Sequence, residues 1–143
     1  FGNKKSINQM KNLSIKNDPI SIDEIGPSFG DNDVLSALIA SKMNADLLII
    51  LTDVDGLFSK NPNHKNANLI TEVPNISKNI KAISGKPNEF GLGGMKTKIK
   101  AAKIATKFGI PVVIGNGKKN GILNKILNNE NVGTFFYPAK LEE

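Results

Sequence analysis

Leu35, Leu38, Ile39 and Met43 recur at i, i+3, i+4 and i+8, the spacing of one helical face. They predict a helix over 33–44, with Asp31 or Asn32 as its N-cap. The run 47–51, Leu-Leu-Ile-Ile-Leu, has no polar alternation and reads as a strand covered on both faces, as in a parallel sheet. It stops at the polar turn Thr52-Asp53-Val54-Asp55-Gly56. Residues 69–73 predict a short edge strand ended by Pro74, and 76–83 a short helix. A glycine-rich loop over 84–94 precedes a second long helix over 95–107, with Met95, Ile99, Ala102, Ala105 and Phe108 facing inward. Gly109 stops that helix in the C′ position. A buried strand over 110–114, closed by Gly115-Asn116-Gly117, a short helix over 122–127 and a last strand over 134–137 complete the pattern.

Ahead of the first helix, 1–14 reads as a polar, irregular arm, 21–25 as a short extended piece and 26–30 as a turn cluster. Helices alternating with buried strands that end in polar turns are the signature of an α/β domain. A single domain over 15–138 with a tail over 139–143 is expected, without linker or internal repeat.

Composition narrows the chemistry. At 143 residues and 39% hydrophobic, the chain can bury a core. The absence of Cys excludes a disulfide scaffold, a Cys-ligated metal and a thiol nucleophile. The formal net charge of +6 suggests nucleic acid at first, but all 19 basic residues are Lys. The bidentate fork that reads bases and phosphates is missing, and the few aromatics do not interleave with Lys as a stacking platform. Neither nucleic acid nor membrane is expected as a partner: no run approaches the roughly 18 apolar residues of a span, and no signal peptide opens the chain. A cytoplasmic location is the expectation.

Three clusters carry candidate chemistry. In Gly91-Leu92-Gly93-Gly94-Met95-Lys96-Thr97-Lys98, glycines let backbone N–H groups approach an anion while a helix N-terminus points at the same place. Lys98, one turn in, can reach toward a phosphate. The spacing is neither a Walker A nor a dinucleotide fingerprint, so a loop before a lysine-coated helix face is the competing reading. Gly30-Asp31-Asn32-Asp33 can cap a helix, bind a cation or orient ammonium groups. Thr52-Asp53-Val54-Asp55-Gly56, at the carboxyl end of the buried strand, offers a carboxylate that can meet a nucleotide's ribose or base, hold a metal, or simply belong to an Asp-Gly turn. The one histidine, His64, sits in an Asn/Lys-rich turn and is assigned no role; with no Cys either, a Ser-His-Asp or Cys-His hydrolase is not expected.

Taken in order, these clusters resemble the amino acid kinase family, in its glutamate-phosphorylating branch. The residues that carry the resemblance are Phe29-Gly30-Asp31-Asn32-Asp33-Val34-Leu35-Ser36-Ala37, the stretch 46–58 (DLLIILTDVDGLF), the stretch 91–98 and Val132-Gly133-Thr134-Phe135-Phe136. It runs over about 17–138 and fits equally the kinase half of bifunctional pyrroline-5-carboxylate synthases. It implies an α/β three-layer sandwich with a mostly parallel sheet, of which this chain is the carboxy-terminal, nucleotide-binding portion. The implied reaction is transfer of the γ-phosphoryl of ATP, with Mg²⁺, to the side-chain carboxylate of L-glutamate, the first step of proline biosynthesis. Carried over residue by residue, Lys98 acts on the transferring group and Asp33 orients the lysines. Thr52 and Asp53 line the ATP site, and Leu92, Gly93, Gly94, Met95, Lys96, Thr97 and Lys98 wrap its phosphates. Asn32 and Asp18 contact glutamate. Proline as a feedback ligand and a homo-oligomeric state are also expected.

The family's glycine-rich first strand, with its phosphate-contacting lysine and substrate-contacting serine, has no counterpart and is expected upstream of Phe1. Alone, the chain is expected to bind nucleotide weakly and to transfer phosphate poorly. Two alternatives accompany this reading: another family member acting on acetylglutamate, aspartate or a nucleoside monophosphate, and a non-catalytic module that senses ATP or an amino acid.

Overall fold

In a computed structural model, residues 32–83 and 92–140 are described. The order is α1 (Asn32–Lys42), β1 (Leu48–Thr52), β2 (Glu72–Val73), α2 (Lys78–Ile83), α3 (Leu92–Lys107), β3 (Val112–Asn116), α4 (Ile122–Leu127) and β4 (Thr134–Phe136). The strands form one sheet in the order β1-β3-β4-β2. β1 runs parallel to β3 and β2 parallel to β4, while β3 and β4 are antiparallel, so the sheet is mixed and mostly parallel.

Side-chain alternation along the strands separates two apolar layers. Ile50, Val112, Ile114 and Phe136 share one core with Ala37 and Ala40 of α1 and with Met95, Ile99 and Ala102 of α3. Val113 and Phe135 point the other way, onto Ile122 and Ile126 of α4. Helix, sheet and helix thus stack as expected for an α/β sandwich.

α1 differs from its sequence reading in one respect. Leu38 and Met43 are 50% and 52% exposed, and the buried positions are Ala37 and Ala40. The partner explains it: α1 packs chiefly on α3, which presents fully buried Ala101, Ala102 and Ala105. Small side chains bring two helices close and leave no depth for Leu between them. This alanine seam sets Asp33 against the first turns of α3.

Other elements also shift from expectation. β1 is an outer strand of the described sheet and is not covered on both faces: Leu51 is 44% exposed. It lies on the face of α4, whose Ile122 and Ile126 sit over Gly115 beside Val113 and Phe135; Ile49 is partly buried against that cluster, while Leu51, two residues on, is left exposed. The apolar run 69–73 splits. Leu69 and Ile70 pair back onto the Leu57-Phe58 segment, with the Ile70 N–H donating to the Leu57 carbonyl at 2.7 Å, and only Glu72 and Val73 join the sheet. β3 starts two residues late, because Pro111 has no N–H to donate, and runs on through Gly115 and Asn116. Gly109 takes φ 80° as the helix stop. Phe108, at the turn, is 67% exposed, and the buried Ile110 takes the inward place assigned to it.

Thr134 ties the excursion over 57–70 to β4. Its buried hydroxyl accepts from the Leu57 N–H at 2.9 Å and donates to the Ile70 carbonyl at 2.6 Å. A Cβ on Gly56 would lie 2.6 Å from that oxygen, so glycine is required there. Thr134→Val keeps the shape and orphans both backbone groups. It is expected to lower unfolding stability by about 1–3 kcal/mol in chemical denaturation; unchanged stability would contradict this anchoring.

Candidate functional site

The carboxyl end of β1 and the amino end of α3 border one cleft of about 260 Å³. Thr52 is the last residue of β1 and Asp53 follows it in the turn, while Gly94, Met95 and Lys98 come from α3. Such a crevice at a strand's carboxyl end is where open α/β sheets hold ligands.

α3 begins at Leu92, three residues before the sequence reading put it, so Gly93 and Gly94 lie in its first turn and not in the loop. The N–H groups of a first turn have no partner within their helix, and here they belong to the segment that borders the cleft. Among the described residues, a Cβ placed on Gly94 would meet nothing within 4 Å.

Asp33 accepts two bonds on one oxygen. Lys98 Nζ lies 2.9 Å from its Oδ2, and the Thr97 hydroxyl donates to the same atom at 2.8 Å. Both ends of the ion pair are largely buried, with 14% of the Lys98 side chain and 22% of the Asp33 side chain exposed. The Thr97 hydroxyl also lies 2.8 Å from the Gly94 carbonyl. Aspartate, threonine, lysine and first-turn glycine are thus joined across the α1–α3 seam.

Not every candidate residue gathers there. Asn32 opens α1, exposed, beside Asp33, and Lys96 is exposed on α3 outside the cleft lining. Leu92 and Gly93 are placed as backbone of α3. Asp18 lies outside the described residues, as does Asp31, one of the two expected N-caps; the other, Asn32, is the first residue of α1. His64 Nδ1 accepts from the Asn66 N–H at 3.1 Å, a turn contact.

The other wall went unread from the sequence. Phe58, Lys60, Asn61 and Pro62 of the 57–70 excursion also line the cleft. The one sequence hint was Gly56, which lets the chain turn away from the strand end. Lys60 is exposed and, among the described residues, forms no ion pair, so the cleft has cationic groups on two sides. Behind Asp53, the Asp55 carboxylate accepts from Asn116 Nδ2 at 3.0 Å and pairs with Lys119 at 3.0 Å. The Asn116 amide and then Lys119 hold its pKa below the ordinary aspartate value. A depressed carboxylate stabilises the fold fully above its unfolded pKa of about 4 and loses that contribution only in acid, as the pH falls through the lower folded value. No group of three or more His, Cys, Asp or Glu that could cage a metal occurs among the described residues.

The amino acid kinase family model matches residues 8–116. The chain belongs to the amino acid kinase family. Curated relatives within it include the glutamate 5-kinases of Methanosarcina acetivorans, 50% identical over 123 residues, and of Clostridium acetobutylicum, 50% identical over 125. These matches cover 85% and 86% of this chain but 32% and 46% of those proteins, so the chain spans about a third to half of their length. Solved structures with this fold include carbamate kinase from Giardia lamblia bound to AMP-PNP, at TM-score 0.58 and 27% identity over 76% of this chain and 36% of that one. Uridylate kinase from Archaeoglobus fulgidus matches at TM-score 0.57 and 25% identity, over 73% of this chain and 45% of that one. Among the described residues no helix is long and apolar enough to cross a membrane.

Proposed function

We propose that the chain forms the ATP-binding side of an enzyme that transfers the γ-phosphoryl of ATP to the side-chain carboxylate of L-glutamate. The observation that carries the reading is the Lys98–Asp33 pair, held by Thr97 at the amino end of α3 on the border of the cleft. The names of the 45–50% identical relatives support glutamate as acceptor.

The chemistry asks little of acids and bases. A glutamate side chain, with a pKa of about 4.3, is already an ionised nucleophile at neutral pH, so no base must remove a proton. The barrier lies in bringing one anion to another, which calls for positioning and fixed positive charge. Lys98 supplies a cation whose position Asp33 and Thr97 fix, and first-turn amides of α3 donate to phosphate oxygens. Thr52 and Asp53 flank the nucleotide at the strand end. Mg²⁺ fits as a companion of the triphosphate, which it partly neutralises when bound. A single cleft carboxylate, Asp53, unpaired with any cation among the described residues, suits a metal that keeps most of its ligands from phosphate and water.

The test is a panel of glutamate, N-acetylglutamate, aspartate and UMP with ATP–Mg, in which hydroxylamine traps any acyl phosphate as a hydroxamate. Glutamate-dependent hydroxamate supports the reading. Turnover confined to another acceptor overturns the substrate, and nucleotide binding with no turnover in the full chain favours a sensing module.

Gly94 separates fold from function. Gly94→Ala meets open space among the described residues, in a helical turn, and is expected to stabilise the protein by up to about 1 kcal/mol. The same methyl group stands where phosphate approaches, and it is expected to weaken AMP-PNP binding roughly tenfold, the scale of one lost charge-assisted hydrogen bond. Unchanged affinity in calorimetric titration would remove Gly94 from the phosphate site.

A further inference from the structure

We infer that Asp55, Asn116 and Lys119 form a positioning bracket that sets the nucleotide-facing wall of the cleft by acting through Thr52 and Asp53. The inference rests on reading the cleft as the ATP site.

Among the described residues, the Thr52 and Asp53 side chains have little of their own to hold them. The side-chain contact between them is long, 3.4 Å from the Thr52 hydroxyl to Asp53 Oδ1, and Asp53 is exposed. Their placement comes from behind. Thr52 ends β1 directly opposite Asn116, the last residue of β3. One residue on, the Gly117 N–H donates to the Thr52 carbonyl at 2.8 Å. A Cβ on Gly117 would lie 3.3 Å from Leu51 Cβ, so the two strand ends meet closely because that residue is glycine.

Two residues beyond Asp53, Asp55 lies outside the cleft lining and is turned to the β3 side. Its Oδ1 takes both Asn116 Nδ2 and Lys119 Nζ, each at 3.0 Å. The Asn116 amide is used at both ends, because its Oδ1 accepts the Lys118 N–H at 2.9 Å. That double use fixes which way the amide faces and hence where Asp55 must sit. The depressed pKa of Asp55 agrees with a carboxylate held in its ionised form by these donors. Beyond Asp55, the turn is tied down again where the Leu57 N–H meets Thr134. Asp53 therefore lies on a turn pinned before, behind and after it.

The Asp55–Lys119 pair is about half exposed, so it adds little to global stability. A bracket should show in nucleotide affinity while a merely structural contact should not. The experiment measures KM for ATP and for glutamate, kcat, AMP-PNP affinity and thermal midpoint in the full chain, for wild type, Asp55→Ala, Asp55→Asn and Lys119→Met. Asp55→Ala is expected to raise the ATP KM and the AMP-PNP Kd about three- to tenfold, with kcat, the glutamate KM and the thermal midpoint little changed. Asp55→Asn, which keeps an acceptor for Asn116, should recover most of that loss. Unchanged nucleotide affinity in Asp55→Ala, or a fall in kcat and thermal midpoint with no selective rise in the ATP KM, overturns the bracket. Should Asp55→Ala not fold, Asp55→Asn and Lys119→Met together decide it: a rise in AMP-PNP Kd in Lys119→Met supports the bracket, and wild-type affinity in both overturns it. Wild-type AMP-PNP binding without variant effects sinks the bracket alone, whereas no wild-type binding sinks the nucleotide reading and the bracket with it.

Discussion

Lys98→Ala is expected to lower kcat for glutamate phosphorylation by roughly 10²-fold or more, with the fold intact. The cation lies at the border of the cleft on the second turn of α3; in the proposed reaction, charge shifts there between the leaving and the transferred phosphate oxygens. A group that meets charge developed in the transition state affects kcat more than KM. Truncation leaves the largely buried Asp33 carboxylate with the Thr97 hydroxyl alone, so a loss of stability of about 1–3 kcal/mol is expected beside the larger loss of rate. Initial rates at saturating ATP and glutamate, beside a thermal melt, check this. Wild-type turnover would remove Lys98 from the mechanism.

Asp33→Asn carries the second-largest expected effect. The amide keeps an acceptor for Thr97 and loses the charge that holds the Lys98 ammonium at 2.9 Å. A lysine free to wander by an ångström forfeits about 10- to 10²-fold in rate. Because Asp33 acts through Lys98, the double variant Asp33→Asn/Lys98→Ala should be no slower than Lys98→Ala alone, a non-additivity expected of groups that work as a unit. If Asp33→Asn lost folding while its soluble fraction kept full turnover, Asp33 would be a helix-capping residue and nothing more.

The fold was legible wherever a pattern is local. The apolar run at 47–51, the glycine stop at Gly109 and the strand at 134–137 follow from side-chain hydrophobicity and backbone freedom alone. What escaped depends on partners distant in sequence. Leu38 and Met43 look like the buried face of α1 until α3 offers alanines, after which Ala37 and Ala40 fit and the larger side chains do not. Leu51 reads as core, but the α4 cluster packs against Ile49 and leaves Leu51 exposed. Residues 69–73 read as one strand because nothing local reveals that Thr134 holds Ile70 and Leu57 together.

The site divides in the same way. Gly94, Lys98, Thr52 and Asp53 stand out because glycine before a helix and carboxylate after a strand are local signals, and they line one cleft. Lys60 and Pro62 gave no such signal: an Asn/Lys-rich turn is the ordinary composition of a solvated loop, and only its folding back over the strand end brings it to the cleft. Asp55 looked like half of an Asp-Gly turn, and its partner Asn116 lies 61 residues away.

The account stands on triphosphate oxygens meeting the amino end of α3. A titration of the ¹⁵N-labelled chain with AMP-PNP–Mg, followed amide by amide, tests that contact directly. The largest shifts are expected at Gly94, Met95 and Lys98, with a second group at Thr52 and Asp53. Shifts confined to the outer face of α3 around Lys100 and Lys107, or to the β4–α4 side of the sheet, would contradict it.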